Sequence, residues 1–144
     1  MRKWLAVLSL VGLLIAGIAV AQEYVPPTAE QQKAFKSQAV KEISEAMASP
    51  ENKADWANLA MEELGVKVDF ISWDINFEDP IFIQPGIDGY KITFVVTMGG
   101  FDAKGARVAC KETRVIGVFV QRDTGAKLGI VDFGGAQLEI VGPF

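Results

Sequence analysis

Tyr90-Lys91-Ile92-Thr93-Phe94-Val95-Val96-Thr97-Met98 is the stretch on which the fold class turns. Large apolar side chains fall at 90, 92, 94, 96 and 98, with Lys91, Thr93 and Thr97 between them. Successive side chains of an extended chain point to opposite faces, so this two-residue period specifies a strand with one face buried. An α-helix would need repeats of three and four.

The same rhythm continues downstream. Residues 99–105 (Gly-Gly-Phe-Asp-Ala-Lys-Gly) turn the chain into a long strand from Arg107 to Arg122. Asp123-Thr124-Gly125 turns it again into a last strand, Lys127 to Val141, which Gly134-Gly135 interrupts as a kink or bulge. A three-residue hairpin there pairs Arg122 with Ala126. Counting outward, Ile116 faces Asp132 and Arg114 faces Gly134. Asp123-Thr124-Gly125 is also the signature tripeptide of aspartic proteases. In that family an apolar strand runs directly into it and a long segment follows; here Gln121-Arg122 precede it and a short tail follows. Turn chemistry, with glycine at the left-handed position, accounts for all three residues.

Upstream, residues 79–89 hold Asp79-Pro80, Pro85-Gly86 and Asp88-Gly89, a cluster of turn signals around an apolar Ile81-Phe82-Ile83. That reads as a loop that packs down or contacts a partner. Val66, Val68 and Phe70 alternate with Lys67 and Asp69; then the phase slips and Ile71, Trp73, Ile75 and Phe77 carry it on. A one-residue slip is what a bulge produces, near Phe70–Ser72.

Before residue 66 the period lengthens to about four. Thr28 and Gln31 have capping-box spacing, and Phe35, Ala39, Ile43 and Met47, with Ala46 beside them, make one apolar helical stripe. Ser49-Pro50 ends that helix and caps a second, striped by Trp56, Leu59, Ala60 and Leu64 and stopped by Gly65. The fold expected is therefore α+β: two N-terminal amphipathic helices packed on a curved four-stranded antiparallel meander. By element order alone this is similar to the cystatin-like and NTF2-like folds, in which a curved sheet holds a helix in its concave face. Such a resemblance implies architecture and no activity.

The first 21 residues read as a secretory signal peptide. Arg2 and Lys3 precede an apolar run from Leu5 to Val20, and Ala19-Val20-Ala21 is a small-x-small cleavage site. The run is shorter than the roughly 20 residues that span a bilayer comfortably. No cysteine stands directly after it to take a lipid at a mature N-terminus. Residues 22–27 (Gln-Glu-Tyr-Val-Pro-Pro) make an extended lead-in, and 28–144 one α+β domain in the periplasm or outside the cell. Losing Arg2 and Lys3 lowers the net charge of −4 by two, to −6. Without a basic run, nucleic acid and anionic headgroups are not expected partners, and no membrane contact is expected after cleavage.

Cys110 is the only cysteine, which rules out an intramolecular disulfide and reads as a small buried hydrophobe. There is no histidine, which removes Ser-His-Asp and Cys-His catalysis and the commonest zinc ligand. Asp74, Asn76, Glu78 and Asp79 lie along a strand and its exit, too spread for a hard cation. Neither metal nor cofactor is expected. The candidate sites are two. Glu112, Arg114 and Asp132 interrupt apolar strand faces and, with Trp73 and Phe94, could anchor a small apolar ligand at the mouth of a concave sheet. Ile81, Phe82 and Ile83 could instead form the contact loop of a protein-interaction module, such as a protease inhibitor or envelope-assembly component. A carboxylate-based enzyme ranks third.

Overall fold

The computed structural model describes residues 23–144; the signal-peptide and cleavage-site expectations fall outside that range. The elements are helices α1 (Ala29–Ala48) and α2 (Pro50–Leu64), then strands β1 (Lys67–Phe77), β2 (Ile81–Gln84), β3 (Ile87–Phe101), β4 (Arg107–Gln121), β5 (Lys127–Gly134) and β6 (Glu139–Pro143). Two helices on one antiparallel sheet make the chain α+β. The sheet order is β1-β3-β4-β5, with β2 also paired to β3 and β6 also paired to β4.

Helix boundaries follow from the caps. Thr28 Oγ1 accepts from the Gln31 amide at 3.1 Å, while Gln31 Oε1 accepts from the Thr28 amide at 2.9 Å, a reciprocal capping box. Ser49 caps α2 through Asn52, and Gly65 closes it in the left-handed region at φ 65. The Gly65 and Val66 amides donate back to Met61 and Ala60, satisfying carbonyls that the helix end would otherwise orphan.

The sheet has six strands where four were expected, for two separate reasons. Ile81-Phe82-Ile83 is not a loop: the Pro85-Gly86 turn folds it back onto β3, pairing Ile81 with Gly89 and Phe82 with Asp88. The expected last strand is two. Gly134 (φ 81) and Gly135 (φ 146) break its extended path, so β5 pairs with one stretch of β4 and β6 with another. In β1 the shielded phase moves from Val68 to Ile71, Trp73, Ile75 and Phe77 and leaves Phe70 exposed, as the slip in the sequence requires.

Two compact units are woven from separate stretches of chain. One comprises the chain up to Gln38, Asn76–Thr93 and Val115–Gly134. In it, Phe35 of α1 stacks on Tyr90 at 4.0 Å between ring centroids and meets Phe77 edge-on at 6.2 Å. Ile92 and Val131 are fully shielded here.

The other unit comprises Ala39–Ile75, Phe94–Arg114 and Gly135–Phe144. Its core joins Met47 and Ala60 of the helices to Val66, Val96, Met98, Cys110 and Leu138. Burying each larger apolar side chain contributes about 1.5–3 kcal/mol, which is how this unit holds without a disulfide.

Candidate functional site

Tyr24, Asp88 and Arg122 meet in the first unit. Asp88 shares its inward face with Tyr90 and Ile92, and only 2 % of it is exposed. A carboxylate so placed needs a cation and further donors to offset its lost hydration. Arg122 supplies two parallel bonds, Nε to Oδ2 at 2.9 Å and Nη2 to Oδ1 at 2.6 Å. The Tyr24 hydroxyl donates a third, to Oδ1 at 3.0 Å. Among the described residues no buried side-chain polar atom lacks a partner.

The turns put these groups in reach. In the β4–β5 connection the Gln121 amide donates to Ala126 O and the Gly125 amide to Gln121 O, so the loop runs from Arg122 to Gly125. The expected pairing of Arg122 with Ala126 is thus corrected: Arg122 leaves the ladder, and its amide donates instead to Gly86 O of the β2–β3 turn at 2.9 Å. Asp123-Thr124-Gly125 is a turn, with Thr124 Oγ1 accepting from the Ala126 amide.

These three side chains and Glu23, Val25, Phe82, Gln84, Pro85 and Gly86 line a half-open cleft of about 210 Å³. The Tyr24 and Phe82 rings form one wall, 5.6 Å apart and tilted by 54°. The Arg122 guanidinium lies 5.7 Å from the Tyr24 ring centroid, a cation–π distance. Burial, then the hydrogen bond to Asp88 and its negative charge, push the Tyr24 hydroxyl up to about 12, against a weaker downward pull from Arg122. Burial, then Asp88, raises Tyr90 as well. Tyr24 is therefore neutral at physiological pH.

The residues singled out from the sequence are distributed as follows. Phe82 lines the cleft; Ile83 is buried against Gly89, and Ile81 is 59 % exposed. Trp73 and Phe94 pack against the core of the second unit, with Trp73 Nε1 donating to Ser44 Oγ at 3.2 Å. Glu112 is buried in that unit and accepts from Arg114 Nε at 2.9 Å. The Arg114 guanidinium in turn lies 5.6 Å from the Trp56 ring. Asp132 belongs to the first unit, where Oδ1 accepts from the Gly134 amide at 2.7 Å. The expected pairing of Ile116 with Asp132 is present, but a register shift beside it sets Val115, not Arg114, opposite Gly134.

Among the described residues no group of three or more His, Cys, Asp or Glu is placed to hold a metal ion, and no helix is long and apolar enough to cross a membrane. No protein-family model, curated protein or solved structure matches the chain.

Proposed function

We propose that this chain is an exported, non-catalytic binding module whose ligand, a small and mainly apolar molecule, sits in the cleft bounded by Tyr24, Phe82 and Arg122. The observation that carries this reading is a half-open cleft of about 210 Å³ that joins two aromatic rings to a fixed guanidinium. An apolar cavity of about 150 Å³ suffices for benzene, so a single-ring molecule fits the space. Apolar walls with a few placed polar groups are what small-ligand sites share.

Both oxygens of Asp88 are already engaged, which favours binding over carboxylate chemistry at this site. A curved sheet of the cystatin-like or NTF2-like kind would add an enclosed side; the cleft does not depend on one. A protein partner is the second reading, favoured by the 59 % exposure of Ile81 on β2, next to Phe82 in the sequence.

The test is to purify the chain from the extracytoplasmic fraction, sequence its N-terminus, extract it and analyse the extract by mass spectrometry. The expected results are a start at Gln22 and a stoichiometric small molecule that is lost in Phe82→Asp, with the Ile81→Asp variant still loaded. An empty wild-type extract counts against the small-ligand reading. Retention of a partner by wild type and Phe82→Asp but not by Ile81→Asp favours the second reading.

A further inference from the structure

The cleft has three walls, and they are not equally held. The β2–β3 turn is tied by the strand pairing beside it and by the Arg122 amide, which donates to Gly86 O at 2.9 Å. Arg122 itself is tied by its two bonds to Asp88. The third wall is the lead-in: Glu23, Tyr24 and Val25 line the cleft and belong to no helix or strand. Among the described residues no backbone–backbone hydrogen bond joins residues 23–26 to the sheet. Their polar tie to it is the Tyr24 hydroxyl on Asp88.

Tyr24 can let go without stranding that carboxylate. Asp88 keeps its bidentate cation, and water can take the place of the phenol in a half-open cleft. Withdrawing Arg122 would instead leave Asp88 buried without its cation, a far larger cost. The other end of the lead-in is fixed: Pro27 is buried, and its carbonyl accepts from Gln32 Nε2 at 2.9 Å. Between the two anchors, Val25 and Pro26 each precede a proline, which holds them extended and makes the segment stiff. Val25 is 68 % exposed and adds little to hold it down.

We infer that the lead-in is a strap over the cleft, pivoting at Pro27, latched through the Tyr24 hydroxyl to Asp88, and closing on the occupant. This rests on the binding reading above and names how that site is gated. An occupant meets the Tyr24 ring, which stands 5.6 Å from Phe82, only when the strap is down. Binding therefore shifts the strap toward its latched position, and release of Tyr24 opens the site while the sheet stays intact.

Relaxation dispersion of backbone amide signals tests this on the isotopically labelled chain beginning at Gln22, at pH 7. Val25 is expected to exchange between two environments, while Gly86 on the β2–β3 turn does not. Tyr24→Phe keeps the ring and removes the latch. It is expected to raise the ratio of released to latched strap about tenfold, the equivalent of one hydrogen bond to a charged acceptor. Toluene, a neutral single ring, is expected to suppress the Val25 exchange of wild type in step with the shift of the Phe82 signal.

Exchange shared by Val25 and Gly86 at one rate means that the whole cleft opens together, and it overturns the strap. Val25 signals left unchanged by Tyr24→Phe overturn it as well. Toluene that shifts Phe82 yet leaves the Val25 exchange unaltered removes the coupling, and with it this inference, while the binding reading stands. Failure of the binding reading shows separately, as an empty wild-type extract. Comparing Val25 with Gly86 needs only the wild-type chain, so that result decides even if Tyr24→Phe does not fold.

Discussion

Arg122 holds Asp88 through two nearly parallel bonds, at 2.9 and 2.6 Å, with the carboxylate shielded and the guanidinium partly open. The pair ties the turn after β4 to the start of β3, and the Arg122 amide fastens the same turn to Gly86. Tyr24 adds the lead-in to this knot. One buried carboxylate thus organises three stretches of chain distant in sequence, and the cleft is the space they leave.

Removing Arg122 leaves the buried Asp88 carboxylate without its cation and with only the Tyr24 hydroxyl to offset its charge. Arg122→Met is expected to destabilise the fold by about 3 kcal/mol, roughly 10 °C in Tm for a chain of this size. Asp88→Leu combined with Arg122→Met should recover much of the loss, because two apolar groups need no compensation. Thermal melts of the two single variants and the double variant check this. Additive losses would refute the coupling.

The raised pKa of Tyr24 makes alkaline stability depend on it. Folding favours the neutral phenol, so the contribution is fully present below the unfolded value near 10 and is lost as pH rises toward about 12. Tyr90 is raised too and remains in the variant. Tyr24→Phe is therefore expected to lose stability less steeply than wild type between about pH 10 and 12. Denaturant midpoints measured across that range give the difference, and identical slopes would contradict it.

Cys110 is fully buried, and burial pushes its thiol pKa up. Reaction with a chromogenic disulfide reagent at pH 8 is expected only as fast as the second unit opens. Added urea should accelerate labelling in step with unfolding. Rapid stoichiometric labelling of the native chain would show an accessible thiol instead.

Gly135 combines φ 146 with a position where a Cβ would run into the backbone carbonyl of Thr113. Neither the conformation nor the space admits a side chain. Gly135→Ala is expected to cost about 3 kcal/mol, lowering the urea midpoint without changing the slope of the transition. The exposed Gly105, with open space around its Cβ position though also at positive φ (81), serves as the control and should cost about 1 kcal/mol.

Local patterns alone determined a good deal. Phe35 and Met47, the four-residue stripe, the caps at Thr28, Ser49 and Gly65, and the alternation from Tyr90 to Met98 required no distant partner to be read. Each depends on neighbours within a few positions, where helix and strand geometry act directly. Ile81-Phe82-Ile83 misleads as a loop because its turn signals are those of a tight hairpin, and only pairing to β3 distinguishes the two. The break at Gly134–Gly135 shows as an interruption, yet its conversion of one strand into two depends on where β4 offers partners.

The cleft was partly within reach. Asp88 lies two residues before Tyr90 on the same alternating face, so a buried charge on β3 is implied by extending the rhythm, whereas Arg122 stands past the end of β4 and is only partly shielded. That the two charges find one another, and that Tyr24 joins them across 64 positions, is a matter of tertiary structure. Alternation fixes which way a side chain points. Only the folded chain decides what it meets there, because register shifts and turn lengths between the strands set the distances.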